Sequence, residues 1–119
     1  MTLADLAEKL ELVPAAAAGR LDNEVTGGYA SDLLSDVIGN AEAGNLWVTL
    51  QIHQNIVAVA AMKDLAGIAL VNGRRPDEDT IEKAEAEGIP VLVSRLPAFE
   101  LVGQLYRLGV RAVGVDDVE

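Results

Sequence analysis

The chain has 119 residues, half of them apolar, with no cysteine and a formal net charge of −10. That length suits a single domain over 1–119 with a real core, and the missing cysteine excludes disulfides, thiolate metal sites and cysteine nucleophiles. Nine basic residues against nineteen acidic ones argue against a general nucleic-acid or acidic-membrane binder, since phosphate contacts need clustered Lys and Arg.

A single nucleotide remains compatible with a locally basic spot, and Arg20, Arg74, Arg75 and Arg95 are the candidates. No apolar run approaches the roughly 20 residues that span a bilayer. The first residues lack the basic and apolar regions of a signal peptide, so the cytoplasm is the expected location. Only four residues are aromatic, so the core must come from Val, Leu, Ile and Ala.

Thr2 is placed to cap a helix over 3–10, with Leu3, Leu6 and Leu10 on one side. Residues 11–14 read as a short strand and 15–19 as a small-residue connector. The organising stretch is 21–36: an extended segment, a bend at Thr26-Gly27-Gly28, and a helix over 31–40 entered through Ser31 or Asp32. Leu33, Leu34, Val37 and Ile38 are its expected buried stripe, and Gly44 suits the positive φ of a helix stop. Residues 46–52 alternate as a strand. Leu46, Val48, Leu50 and Ile52 share one face; Trp47, Thr49 and Gln51 share the other. The second face mixes a large aromatic with polar groups and is expected to be only partly covered, which makes Trp47 and Thr49 candidate interface residues.

An Ala-rich helix follows from Gln54 or Asn55 to Lys63, and its small residues also suit close packing against a twofold mate. The continuous apolar run 67–71 marks a strand buried on both faces. A turn at 72–77 leads into a helix capped by Asp77 and stopped by Gly88. Residues 89–93 form the next buried strand. Pro97 opens a last helix with Phe99, Val102, Leu105 and Tyr106 as its stripe, ended by Gly109. Residues 110–115 are a candidate final strand, and 116–119 are expected to fray as a solvated tail. Strands and helices alternate from Leu46 onward, which predicts an α/β fold: a layered, mostly parallel sheet flanked by helices.

In such sheets ligands gather beyond the carboxyl ends of the strands. Those ends collect His53 and Gln54, then Asn72, Gly73 and Arg74, then Ser94 and Arg95. If the Thr26-Gly27-Gly28 bend faces the same rim, its two Gly N–H groups, the Thr26 hydroxyl and the Arg74 charge make an anion cradle. The candidate ligand residues are therefore Thr26, Gly27, Gly28, His53, Gln54, Asn72, Arg74 and Ser94, for an adenine nucleotide or another phosphate compound. Each has a structural reading beside the functional one. The glycine pair can be a plain turn, His53 a hydrogen-bonded strand-end residue, and Arg74 and Arg75 exposed loop charges. His53 lacks a second His or a Cys at ligand spacing, so no metal is expected. Asp36 and Glu42 are carboxylates that nothing pairs. No phosphate loop, dinucleotide fingerprint or nucleophile elbow is present; catalysis and a resident cofactor are not expected.

The run Glu24-Val25-Thr26-Gly27-Gly28-Tyr29, then Ser31 to Val37, resembles the signature segment of the DRTGG domain family. Trp47-Val48-Thr49 with His53-Gln54-Asn55 resembles its next block. Asn72-Gly73, Pro76-Asp77 and Gly88-Ile89-Pro90 resemble the third. The likeness covers roughly residues 10–108. One position departs: the Arg of the family name is Asn23 here, with Arg20 a substitute only where the loop brings it round. The resemblance implies an α/β layered domain like the N-terminal domain of HPr kinase/phosphorylase, similar also to domains of some phosphotransacetylases and CBS-domain pyrophosphatases. In those settings it is an accessory that mediates assembly or regulation. It implies a partner enzyme, with iron-only hydrogenase systems one setting, and assigns kinase activity to a domain this chain lacks. Two readings follow: a non-catalytic regulatory and assembly module acting as a homodimer, or a small-ligand sensor. A freestanding enzyme relying on His53 as general base is the third and weakest.

Overall fold

In the computed structural model, which describes residues 1–112 and Gly114, the first helix shows how local chemistry sets an element. Thr2 is extended, its hydroxyl accepts from the Asp5 N–H at 3.2 Å, and the Asp5 carboxylate accepts from the Thr2 N–H at 2.9 Å. This reciprocal capping box opens α1 (Leu3–Leu10). Glu11 closes it in the left-handed region at φ 54°. The chain therefore cannot enter a strand at Glu11 as expected; β1 is Val13–Ala16 and takes in part of the predicted connector. A single 3-10 turn (Ala18–Arg20) leads on to β2 (Gly27–Ala30), α2 (Leu34–Asn40), β3 (Asn45–Thr49) and α3 (Asn55–Lys63). Then come β4 (Gly67–Leu70), α4 (Glu78–Glu87), β5 (Val91–Val93) and α5 (Ala98–Arg107).

The five strands form one sheet in the order β1-β5-β4-β3-β2. β2 to β5 run parallel to one another, and β1 pairs antiparallel with β5 at the edge. The mostly parallel, layered α/β architecture is as the sequence predicts. Every residue of β3, β4 and β5 is buried. One side is covered by Val37 of α2, Ile56, Val57 and Ala60 of α3 and Ala84 of α4, packed on Trp47, Ile68, Leu70 and Val91. The other is covered by Leu3 and Leu6 of α1 and Leu101 and Leu105 of α5, packed on Leu46, Val48, Ala69 and Leu92. Among the described residues no helix is long and apolar enough to cross a membrane.

The structure departs from three expectations. Trp47 is 0% exposed and Thr49 2%, so neither lies on an open face of this chain. Alternation separates the two faces correctly from Leu46 to Thr49 but cannot show that helices cover both, and it overruns the strand: β3 ends at Thr49, and Ile52, expected beside Leu46, packs on the Trp47 side. The indole Nε1–H is satisfied inside the chain, donating to the Ser31 carbonyl at 2.8 Å. Second, the glycine pair is not a bend. Gly27 and Gly28 are strand residues, and positive φ falls instead at glycines such as Gly44 and Gly88. Helix α2 then begins at Leu34, because Ser31 and Asp32 are held by bonds to β3 and its exit. Val37 is its fully buried residue, while Leu33 and Ile38 are exposed.

Third, α5 is rotated from the expected stripe. Leu105 of that stripe is buried, joined by Leu101, whereas Phe99, Val102 and Tyr106 are exposed. The sequence carries two apolar stripes on this helix, and the sheet takes the leucine pair. Beyond α5, residues 110–112 form no strand. They run beside β2, where the Gly28 N–H donates to the Arg111 carbonyl at 3.0 Å. The rest of the predicted final strand and the tail, Gly114 apart, lie outside the described residues.

Because Trp47 is a core residue, Trp47→Ala is expected to cost about 3–5 kcal/mol of folding stability. Urea unfolding checks this; a variant as stable as the wild type would place the indole outside the core.

Candidate functional site

The parallel register brings the ends of β3, β4 and β5 to one rim, together with the loop that leaves β2. Asp32, in that loop, is tied across to β3: its Oδ1 accepts from Thr49 Oγ1 at 2.8 Å and from the Leu50 N–H at 2.7 Å. Its carbonyl accepts from Gln51 Nε2 at 2.9 Å. Arg74 reaches over from the exit of β4 and donates from Nη1 to the Leu50 carbonyl at 3.0 Å. The Ile52 carbonyl accepts from Thr80 Oγ1 at 2.7 Å and from the Asp77 N–H at 3.0 Å, which docks the start of α4. Asn72 and Gly73 both take positive φ, 58° and 66°. That tight turn lets the Gly73 N–H reach the Ser94 carbonyl at 2.7 Å and the Asn72 N–H reach Leu96 at 2.9 Å. Ser94 is 1% exposed, and its Oγ accepts from the Leu96 N–H at 3.1 Å.

Of the predicted ligand residues, His53, Gln54, Asn72, Arg74 and Ser94 therefore share this end of the sheet. His53 is half-buried just before α3, with its Nδ1 enclosed and unpartnered. Gln54 is exposed and takes the N-cap position of α3 without a side-chain capping bond. A hollow of about 200 Å³ opens beside Ser31, Asp32, Thr49, Leu50 and Ala98, where α5 starts.

Thr26, Gly27 and Gly28 are not part of the rim. Gly27 pairs with Asn45, the first residue of β3, so the motif lies at the amino end of the sheet. Thr26 works there as a structural residue. Its Oγ1 donates to the Ala43 carbonyl at 3.0 Å, and its side chain lies over Gly44, where a Cβ would stand 2.6 Å from that oxygen. At Gly28 a Cβ would stand 3.3 Å from Val110 Cγ1, so the missing side chain admits the chain leaving α5. The expected cradle of Thr26, two Gly N–H groups and Arg74 does not assemble, because its parts occupy opposite ends of the strands.

A larger hollow, about 430 Å³, lies at the amino end. Asn23, at the position of the family's Arg, donates from Nδ2 to the Ala66 carbonyl at 3.1 Å. The loop does bring Arg20 round to the same hollow, where its Nη1 sits 2.8 Å from the place a Gly88 Cβ would occupy. A cation at the carboxyl end of α4 is well placed against the helix dipole. Glu24, Asp64 and Glu87 line the same hollow, so the single Arg20 is outnumbered and an anion is not favoured there.

Two acids were missed as fixed structural groups. Asp32 follows a strand and precedes a helix, the usual place for a side chain that ties up backbone N–H groups. Asp36, read as unpaired, in fact accepts from the Tyr29 hydroxyl at 2.9 Å and from Asn40 Nδ2 at 2.9 Å. The Ser31 hydroxyl beside it, then that of Tyr29, hold the Asp36 carboxyl below the usual range, and the same contact raises Tyr29. A carboxylate with a lowered folded value stabilises the fold above its unfolded value, near 3.9. That stabilisation is lost as pH falls through the folded value. Asp36→Asn should therefore lose less stability than the wild type on acidification below about pH 4, as read by urea midpoints across a pH series. Equal acid slopes would remove Asp36 from the linkage.

No family model matches this chain, and no curated protein matches its sequence. The fold has a solved counterpart in the crystal structure of the CBS and DRTGG domains of the regulatory region of Clostridium perfringens pyrophosphatase, complexed with its activator diadenosine tetraphosphate. The TM-score is 0.68 at 13% identity, over 86% of this chain. The chain spans 44% of the length of that one. Likeness at this identity is a likeness of fold: the chain carries the layered α/β fold found in that CBS and DRTGG regulatory region.

Proposed function

We propose that this chain is a non-catalytic regulatory and assembly module, acting as a homodimer and as the accessory of a partner enzyme. The observation that carries the reading is the rim itself. Asp32, Thr49, Arg74, Thr80 and Ser94 all have bonds to neighbouring loops. Groups spent in this way position the strand exits rather than wait for a substrate. The solved counterpart is described as part of a regulatory region, which supports the same class of role. Light scattering on the eluting protein is expected to give twice the chain mass. A single-chain mass at every loading concentration would reject the homodimer.

The second reading is a sensor of an adenine nucleotide or related phosphate compound at the rim. It is favoured by the hollow beside Asp32 and Thr49 and by the activator bound to the counterpart, diadenosine tetraphosphate. Arg74 donates to the carbonyl of Leu50, one of the residues that line that hollow. At a hundredfold excess over its dissociation constant, a ligand of the folded state adds about 2.7 kcal/mol. Diadenosine tetraphosphate is then expected to raise the unfolding midpoint by several degrees, and Arg74→Ala to remove most of the rise. No shift with any nucleotide tested would leave the assembly role standing alone.

A further inference from the structure

The outward side of α5 presents apolar side chains that the described chain covers only at the Tyr106 end. Phe99 is 89% exposed, Tyr106 52% and Val102 38%. With 3.6 residues per turn, Phe99 and Gly103 lie opposite Leu101 and Leu105 and line a shallow hollow with Glu100, Gln104 and Arg107, while Val102 and Tyr106 border it on the side turned toward β2. A Cβ added at Gly103 would meet nothing within 4 Å, so the centre of this face is a notch that admits another helix closely. At one end Arg111 stacks on the Tyr106 ring, 3.9 Å from its centroid, and donates from Nη1 to the Tyr106 hydroxyl at 3.0 Å. That contact steadies this end of the face.

The charges beside this face are self-complementary. Glu100 and Arg107 stand seven residues apart, two turns along the same flank. Neither makes an ion pair among the described residues. In a twofold dimer the same patch faces itself, so that residue i meets j and j meets i. A twofold axis between the two helices, level with the Gly103–Gln104 bond, brings Glu100 of each copy to Arg107 of the other. It also sets Phe99 against the turn that follows the mate's Gly103, with the two helix dipoles opposed. We infer that this face is occupied by a second copy of the chain, docked α5 against antiparallel α5 about that twofold axis. The inference rests on the homodimer proposed above and names the surface that makes it. A helix of 10 residues is about 15 Å long, short for a standard interface of about 1,200–2,000 Å²; the dimer is accordingly reversible with dilution.

Sedimentation velocity over a concentration series tests it, with circular-dichroism melts to confirm folding. Gly103→Gln fills the notch where the lone chain has only open space. At concentrations where the wild type is monomeric it should keep or raise the melting midpoint, since glycine is a poor helix residue, and it should abolish association together with the concentration dependence of the midpoint. Glu100→Lys and Arg107→Glu each set like charges face to face and should weaken self-association by about tenfold or more. Mixed together, these two variants should associate again, because every facing pair is then of opposite sign. A dimer that survives all three substitutions overturns the placement on α5 while leaving the homodimer in place. A wild type that stays monomeric throughout overturns both.

Discussion

β3 lies between two helix layers, and all five of its side chains are buried. β4 beside it, and β5 beyond β4, are in the same position. Parallel strands of this kind are usual only where both faces are covered, and much of the remaining architecture follows from supplying the cover. The helices between successive parallel strands, α2, α3 and α4, pack on one side; α1 and α5, from the two ends of the described chain, close the other. Trp47 belongs to this arrangement. Its ring fills the space under α2 and α3, and its N–H finds the Ser31 carbonyl, so a large aromatic is buried with its one polar atom paired.

Covering both faces has a chemical consequence at the strand ends. Short loops must turn there, and their backbone groups need partners where water is partly excluded. Asp32, Thr80 and Ser94 supply them, and Arg74 joins two loops. The rim is polar because it is a set of joints. Net charge reinforces the point. Glu24, Asp64 and Glu87 share the hollow of Arg20 at the opposite end, and Arg95 meets Glu11 only at 3.5 Å with both side chains 78% exposed. Such an exposed pair contributes little.

The elements of the α/β core were legible because their signals are local and agree. Thr2 and Asp5 mark a helix start, Gly88 a helix stop, and the apolar runs at 67–71 and 89–93 mark buried strands. Face assignments failed where one pattern admits two answers. The alternation around Trp47 separates two sides but carries no record of what packs on each. Helix α5 holds two apolar stripes of similar strength, and only the shape of the sheet selects Leu101 and Leu105. The site residues divide the same way. His53, Asn72, Arg74 and Ser94 were placed together by strand direction alone. Thr26, Gly27 and Gly28 were not, because a glycine pair before a helix looks alike as a bend or as an edge strand. Asp32 and Asp36 escaped notice since their partners come from across the loop or the strand, which spacing along the chain does not display.

The two borders of the sheet differ from its middle in one respect that bears on life at high concentration. An open border of backbone donors and acceptors invites strands from other molecules, and proteins commonly blunt it with proline, irregularity or a covering segment. Here β1 carries Pro14 and a register slip between Pro14 and Ala16, while the Gly28 N–H on β2 is taken by Arg111 from the segment after α5. Both borders are thus poor templates for sheet-to-sheet growth. A crowded solution therefore offers neighbouring molecules no ready strand template at either border.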